Sequence, residues 1–243
     1  MARLRGGCHG DPMGRVERPV EEVVVGQRSG SAWQRASAWR WASAETGAVV
    51  ERIRQDARAF VSDLELGLLY EVARGLHGAD PAFGHVVELG TKRGGTASAL
   101  ALGVRDGSGL APVVTVDCYQ REDPSASFDH IAARETFWTL GLGPERVCQV
   151  VTYTGAFLRM WNQPIRVLFH DPSHVYENTR DEIAAALPHM VEDSWILFDD
   201  FGGTWGEGVI RAVEEWLAVQ REWEVELRHS DAYMLGVHLV RRI

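Results

Sequence analysis

The chain is short of several things, and each shortage removes a class of function. No run of about 18 apolar residues occurs in its 243 residues, so no membrane-spanning helix is expected. Lys92 is the only lysine, positive charge is almost all arginine, and Lys+Arg (25) fall below Asp+Glu (34). The resulting net charge of −9 argues against nucleic acid or an anionic membrane as the main partner, since both ask for a basic surface. Three cysteines, Cys8, Cys118 and Cys148, are odd in number and lack CxxC spacing. That fits reduced thiols in a cytoplasm better than a disulfide framework or a zinc site. The opening MARLRGGCHGDPMGRVERP has charge but no apolar stretch, so no signal peptide and a cytoplasmic location are expected. No G-x-G-x-x-G, no G-K-[ST] and no recognisable Ser-His-Asp or Cys-His arrangement is present.

What is present divides into two parts. Residues 1–44 are rich in Gly, Arg and Ser, carry the near-repeat SAWQRASAWRWASA, and hold seven arginines against four acids. Trp33, Trp39 and Trp41 are too many for a free tail. They are expected to pack on the domain or on a second subunit, giving a homo-oligomer, or to cover a substrate. Residues 45–243 read as one domain, with N-terminal helices over 45–80 and a catalytic core over 83–243. Val49, Val50, Ile53, Ala57 and Phe60 share one helical face; Leu64, Leu68, Leu69, Val72 and Leu76 share another, with Ser62 as N-cap.

From residue 85 short apolar runs alternate with helical segments. Strands are expected at 85–89, 113–117, 146–151, 165–171 and 194–200, and helices at 94–104, 128–140, 176–190 and 209–220. Continuous apolar strands separated by helices mean a parallel sheet covered on both faces. The last two strands, 223–230 and 233–242, are joined too closely for a crossover and must be antiparallel. The fold class is α/β: a mostly parallel, seven-stranded, Rossmann-like sheet ending in an antiparallel hairpin, preceded by a helical extension.

VVELGTKRGGTAS (86–98) lies between the first strand and its helix, where open α/β sheets bind nucleotides. Gly90 permits the tight turn, and Gly94 and Gly95 are expected to let backbone approach a ligand at the helix N-terminus. Asp117 ends the second strand, where a carboxylate can accept hydrogen bonds from ribose hydroxyls. Glu88 suits a ligand with a cationic group nearby.

LFHDPSH (168–174) and ILFDDF (196–201) each end an apolar run in acids. Asp171, Asp199 and Asp200 then converge on the ligand face and repel one another unless a cation sits among them. All-oxygen donors suit Mg²⁺. Neighbouring strand residues point to opposite faces, so Asp199 and Asp200 can both bind only if the strand has already ended. His174, just beyond, is a candidate general base.

The glycine loop, Asp117 and the terminal hairpin together resemble the class I S-adenosylmethionine (SAM) methyltransferases. E-L-G-T-K-R-G-G-T, the D-x-x-H segment and F-D-D-F sharpen this over roughly residues 83–201. They look like the metal-dependent small-molecule O-methyltransferases, in the histidine version of the macrolide-sugar (mycinamicin and macrocin) and cephalosporin-biosynthesis types, and more distantly the catechol type. Pro172 and Glu192-Asp193 depart from that group, which usually has glycines there.

The resemblance implies SAM held by Glu88, Gly90, Thr91, Gly94, Thr96, Asp117, Thr154 and Asp171, and Mg²⁺ or a similar cation held by Asp171, Asp199 and Asp200. His174 would act as base on a hydroxyl of a small-molecule acceptor, a sugar or cyclitol in bacterial antibiotic biosynthesis. Tyr119, His130, Tyr176 and Trp205 are candidates for touching that acceptor, while His170 should point away from the metal into the interior. Three rivals share the sheet: an aminosugar N-methyltransferase, a nucleotide-dependent oxidoreductase or hydroxylase, and a non-catalytic SAM-fold binding protein, for which the intact acid cluster would be an odd retention.

Overall fold

A computed structural model describes residues 43–57, 59–76, 84–120, 128–202, 205–229 and 234–239. The expectations for Trp33, Trp39 and Trp41, and for most of the insertion between the second strand and its helix, lie outside the described residues.

Seven strands form one sheet in the order β3-β2-β1-β4-β5-β7-β6. β1 (His85–Leu89), β2 (Val113–Asp117), β3 (Val147–Val151), β4 (Ile165–His170) and β5 (Met190–Phe198) pair in parallel. β7 (Met234–Leu239) inserts antiparallel between β5 and β6 (Trp223–His229). The strand order reverses between β1 and β4, the switch point at which such sheets open a ligand crevice.

Helices cover both faces. α1 (Ala44–Asp56), α2 (Asp63–Arg74), α3 (Gly95–Asp106) and α4 (Asp129–Thr139) bury one layer of apolar side chains, including Ile53, Leu66, Leu100 and Phe169. α5 (Thr154–Met160), α6 (Tyr176–Ala186) and α7 (Glu207–Leu217) bury the other, including Leu158, Ile196, Phe198 and Val213. A 3₁₀ turn, Leu187–His189, leads from α6 into β5. No helix among the described residues is long and apolar enough to cross a membrane.

Ser62 caps α2 in a complete capping box with Glu65. Phe60 departs from expectation. α1 ends at Asp56, so Phe60 belongs to the connection rather than to the buried face, and its ring is exposed. α5 has no counterpart among the expected helices. β5 begins four residues earlier than expected, and Asp193 takes a left-handed conformation (φ 62°) where the pairing with β4 shifts register. Arg166 and His238 both reach the Asp193 carboxylate there, His238 at 2.7 Å.

Candidate active site

The carboxyl ends of β1, β2, β4 and β5 are tied together by backbone. Gly90 N–H donates to Val116 O (2.8 Å), Asp171 N–H to Leu89 O (2.9 Å), and Asp199 N–H to His170 O (3.0 Å). Gly90 sits at φ 100°, and a Cβ there would lie 2.1 Å from the Asp171 carbonyl oxygen. Glycine is therefore required twice, by conformation and by contact with the β4 end.

Gly94 and Gly95 are required by packing as well as by the expected ligand approach. A Cβ on Gly94 would strike the Phe137 ring at 2.6 Å, and one on Gly95 would strike Ala59 Cβ at 2.6 Å. Protein fills both spaces, so these glycines let α4 and the α1–α2 connection close on the loop.

Glu88 is fully buried at the end of β1. Thr115 donates to its Oε2, and Thr91 and Thr115 hydroxyls meet at 2.6 Å. Tyr119 hydroxyl bonds Thr91 and accepts from Gln149 Nε2 at 2.6 Å. Because each hydroxyl has one proton to give and Thr115 gives its own to Glu88, Thr91 donates to Thr115. Oε1 meets no donor, although Thr96 stands close enough to favour the charged form slightly. Burial pushes the Glu88 carboxyl up to about 7. An orphaned buried carboxylate oxygen at the loop, beside the chain's switch point, fits a ligand with a donor or positive charge there, as SAM has.

Asp117 is braced at the end of β2 by backbone: Lys92 N–H donates to Oδ2 (2.9 Å) and Tyr119 N–H to Oδ1 (2.8 Å). A carboxylate fixed at this strand end is of the kind that accepts from ribose hydroxyls.

At the neighbouring strand ends, ligand atoms of Asp171, His174 and Asp200 lie within 4.8 Å of one another. His174 Nε2 is 2.7 Å from Asp200 Oδ2, and both side chains reach solvent. β5 does end at Phe198, and Asp200 takes φ 55°, which swings it to the same side as Asp171. Asp199 stands outside this group, with its carboxyl against Glu65 of α2. Burial, then the charges of Asp200 and Glu88, push Asp171 well above the ordinary carboxylate range. Burial, then Asp171, push Asp199 up to about 10. Acids raised in this way would give up their protons to solvent on binding a divalent cation.

Other expected contacts fall elsewhere. Thr154, expected at the cofactor, donates to Glu182, which pairs with His170 at 2.9 Å behind β4. His170 is buried and partnered, as expected. Tyr119 is buried in the run beneath the loop and packs beside His130 at 5.8 Å between ring centroids. Tyr176 faces α7, its hydroxyl on Glu215 (2.5 Å) and its ring under Arg211 (4.2 Å). Trp205 is 79% exposed after the β5 end. Sequence reasoning missed Glu65, Thr115, Gln149 and Glu182; only Glu65 left a signal, as the fourth residue of S-x-x-E from Ser62.

The sequence profile of a family described as "Methyltransferase domain" matches residues 87–201. Among curated proteins, none matches at a significant level. Solved structures share the fold. A Corynebacterium glutamicum protein aligns with TM-score 0.62 at 15% identity, over 81% of this chain and 91% of its own. The O-methyltransferase TomG of Streptomyces achromogenes, involved in tomaymycin synthesis and in complex with SAM, aligns with TM-score 0.57 at 19% identity, over 84% and 93%. A TDP-rhamnose 3'-O-methyltransferase of calicheamicin biosynthesis aligns with TM-score 0.52 at 14% identity, over 83% and 97%. At these identities the likeness speaks for the fold. Residues 87–201 are thus similar in sequence to methyltransferase domains, and the described chain shares the fold of solved methyltransferases.

Proposed function

We propose that this chain is a Mg²⁺-dependent O-methyltransferase that uses SAM on a hydroxyl of a polar small molecule, a sugar or cyclitol part of a bacterial secondary metabolite. The observation that carries the proposal is the approach of Asp171, His174 and Asp200 to within 4.8 Å at the open end of the sheet. Carboxylate oxygens are the donors a hard divalent cation prefers, and Asp199 is close enough in the chain to join them by turning from Glu65. The sugar and antibiotic parts of the reading draw on the tomaymycin and TDP-rhamnose methyltransferases of the same fold.

SAM supplies an activated methyl group, and Mg²⁺ supplies a charge that lowers the pKa of an acceptor hydroxyl. The chain supplies position and a proton acceptor. With Nε2–H donated to Asp200, Nδ1 of the solvent-reaching His174 ring is the nitrogen left to take a proton. The Glu88 carboxylate and the backbone-braced Asp117 orient the cofactor at the other side of the crevice.

Calorimetric titration of S-adenosylhomocysteine (SAH), followed by methyl-transfer assays on sugar hydroxyl acceptors with and without EDTA, tests this. Micromolar SAH binding and activity lost to EDTA and restored by Mg²⁺ are expected. Activity surviving EDTA on an aminosugar would replace O-transfer with N-transfer. Failure to bind SAH, with NAD(P) binding instead, would move the chain to the oxidoreductases.

A further inference from the structure

Two glycines at the start of α7 owe their place to space rather than to backbone conformation. Gly206, the N-cap residue, has an ordinary φ of −87°, and Gly208 lies in the first turn of the helix, where any residue's backbone fits. A Cβ on Gly206 would overlap the Asp200 carbonyl oxygen. One on Gly208 would overlap the His174 carbonyl oxygen and stand 2.8 Å from Tyr176 N. The helix start is therefore seated on the backbone of His174 and of Asp200, the two residues whose side chains meet at 2.7 Å.

The helix is the fixed member of this contact. Val209, Ala212, Val213 and Trp216 of α7 are buried, and the Trp216 ring packs beside Phe198 (6.1 Å between centroids) and Trp223 (5.4 Å). The turn that carries His174 is tied to α6 at Ser173, one residue short of the imidazole. There the Ser173 hydroxyl accepts from Val175 N–H and Asn178 Nδ2, each at 3.2 Å. Asp200 keeps its left-handed φ of 55°, which a non-glycine residue holds only when its surroundings over-determine it. Gly206, lying against the Asp200 carbonyl, is one of those surroundings.

We propose that Gly206 and Gly208 are positioning residues, which let the first turn of α7 brace the backbone of His174 and Asp200 and so fix the reach between imidazole and carboxylate. The proposal rests on the reading of His174 as the base and of Asp200 as a holder of the cation. A methyl group at 208 cannot be absorbed by the helix, which the core anchors, so the His174 turn yields. A methyl group at 206 displaces Asp200 in the same way. The atoms nearest either methyl belong to His174, Tyr176, Asp200 and Gly202, none of them in the glycine loop. The hold on the cofactor is therefore left as it is.

The test compares full-length wild type with Gly208→Ala, Gly206→Ala and, as control, Gly47→Ala in α1, where an added methyl meets no atom within 4 Å. In crystal structures the gap from His174 Nε2 to Asp200 Oδ2, 2.7 Å here, should open beyond hydrogen-bond reach in both brace variants and stay closed in the control. Titration of Mn²⁺ alone should find Gly206→Ala weaker by about tenfold or more, the usual cost of losing a group that orients a metal's ligand. SAH affinity by calorimetry should stay within about twofold of wild type throughout, the scatter of independent sites. In methyl transfer to sugar hydroxyl acceptors, Gly208→Ala should lower kcat by about 10²-fold with KM nearly unchanged, as a shift of about 1 Å at a reacting group does. Added to His174→Ala it should lower kcat no further, because it acts through the imidazole. An unmoved gap, or a loss that adds to that of His174→Ala, overturns the brace. Where one brace variant fails to fold, the other is read by the gap in the same way. Wild type that binds no Mn²⁺, or His174→Ala that keeps full turnover, sinks the roles given to the pair, whereas the gap judges the brace separately.

Discussion

The two halves of the crevice are built on opposite plans. At the β1–β2 end, the polar groups are prearranged. Asp117 already holds two backbone N–H groups, and the Thr91 and Thr115 hydroxyls lead to Glu88. At the β4–β5 end, acids crowd one another, and burial pushes the Asp171 and Asp199 carboxyls above their ordinary range. The first end resembles a mould for an organic ligand, whose hydroxyls and ammonium need fixed partners. The second resembles a cation site, in which charge repulsion is tolerated because an ion relieves it.

Substitutions can break this contrast. The largest effect is expected at His174→Ala, which should lower turnover by about 10²–10⁴, the usual contribution of a general base. SAH affinity should stay near wild type, because the imidazole lies on the acid side. Steady-state kinetics beside calorimetry reads both.

Glu88→Gln comes next and should weaken SAH by about tenfold, the scale of one hydrogen bond to a charged group. It should also change the pH dependence of stability. Because the folded pKa of about 7 lies above the unfolded value of 4.5, the folded protein binds the extra proton between them. Stability is therefore lost as pH rises through that window. The glutamine variant should show a shallower fall in melting temperature from pH 5 to 8, measured without ligand. An unchanged slope would mean that Glu88 is not the group titrating.

The smallest effect is expected at Thr91→Val, which removes the hydroxyl linking Tyr119 to Thr115. It should cost about 1 kcal/mol of stability, a typical net hydrogen bond, with turnover nearly intact. Denaturant unfolding measures the first and steady-state kinetics the second.

Much of the sheet could be read in advance because its signals are local. VVELG and VVTVD are apolar runs cut by Gly or Asp, and Ser62 with Glu65 is a cap written in four residues. The short link before β7 dictates an antiparallel partner on length alone. α5 escaped because seven residues make too few turns to reveal a helical period. The converging acids could also be read, but their division could not. Whether Asp199 or Asp200 turns to Asp171 depends on a left-handed residue just past the strand and on Glu65 arriving from α2. Likewise, the purposes of Gly94 and Gly95 reside in Phe137 and Ala59, far off in the chain. Spacing reveals which groups a chain brings to a site, whereas packing decides which of them face one another.

The contact of Gly90 with the Asp171 carbonyl has a consequence for anyone redesigning this chain. The glycine loop and the turn that begins with Asp171 and Pro172 abut through backbone, with no side chain between them to absorb a misfit. The two segments form a single cassette. A graft of either one from a relative must bring the other with it, while the exposed approach around Trp205 can be varied without disturbing that joint.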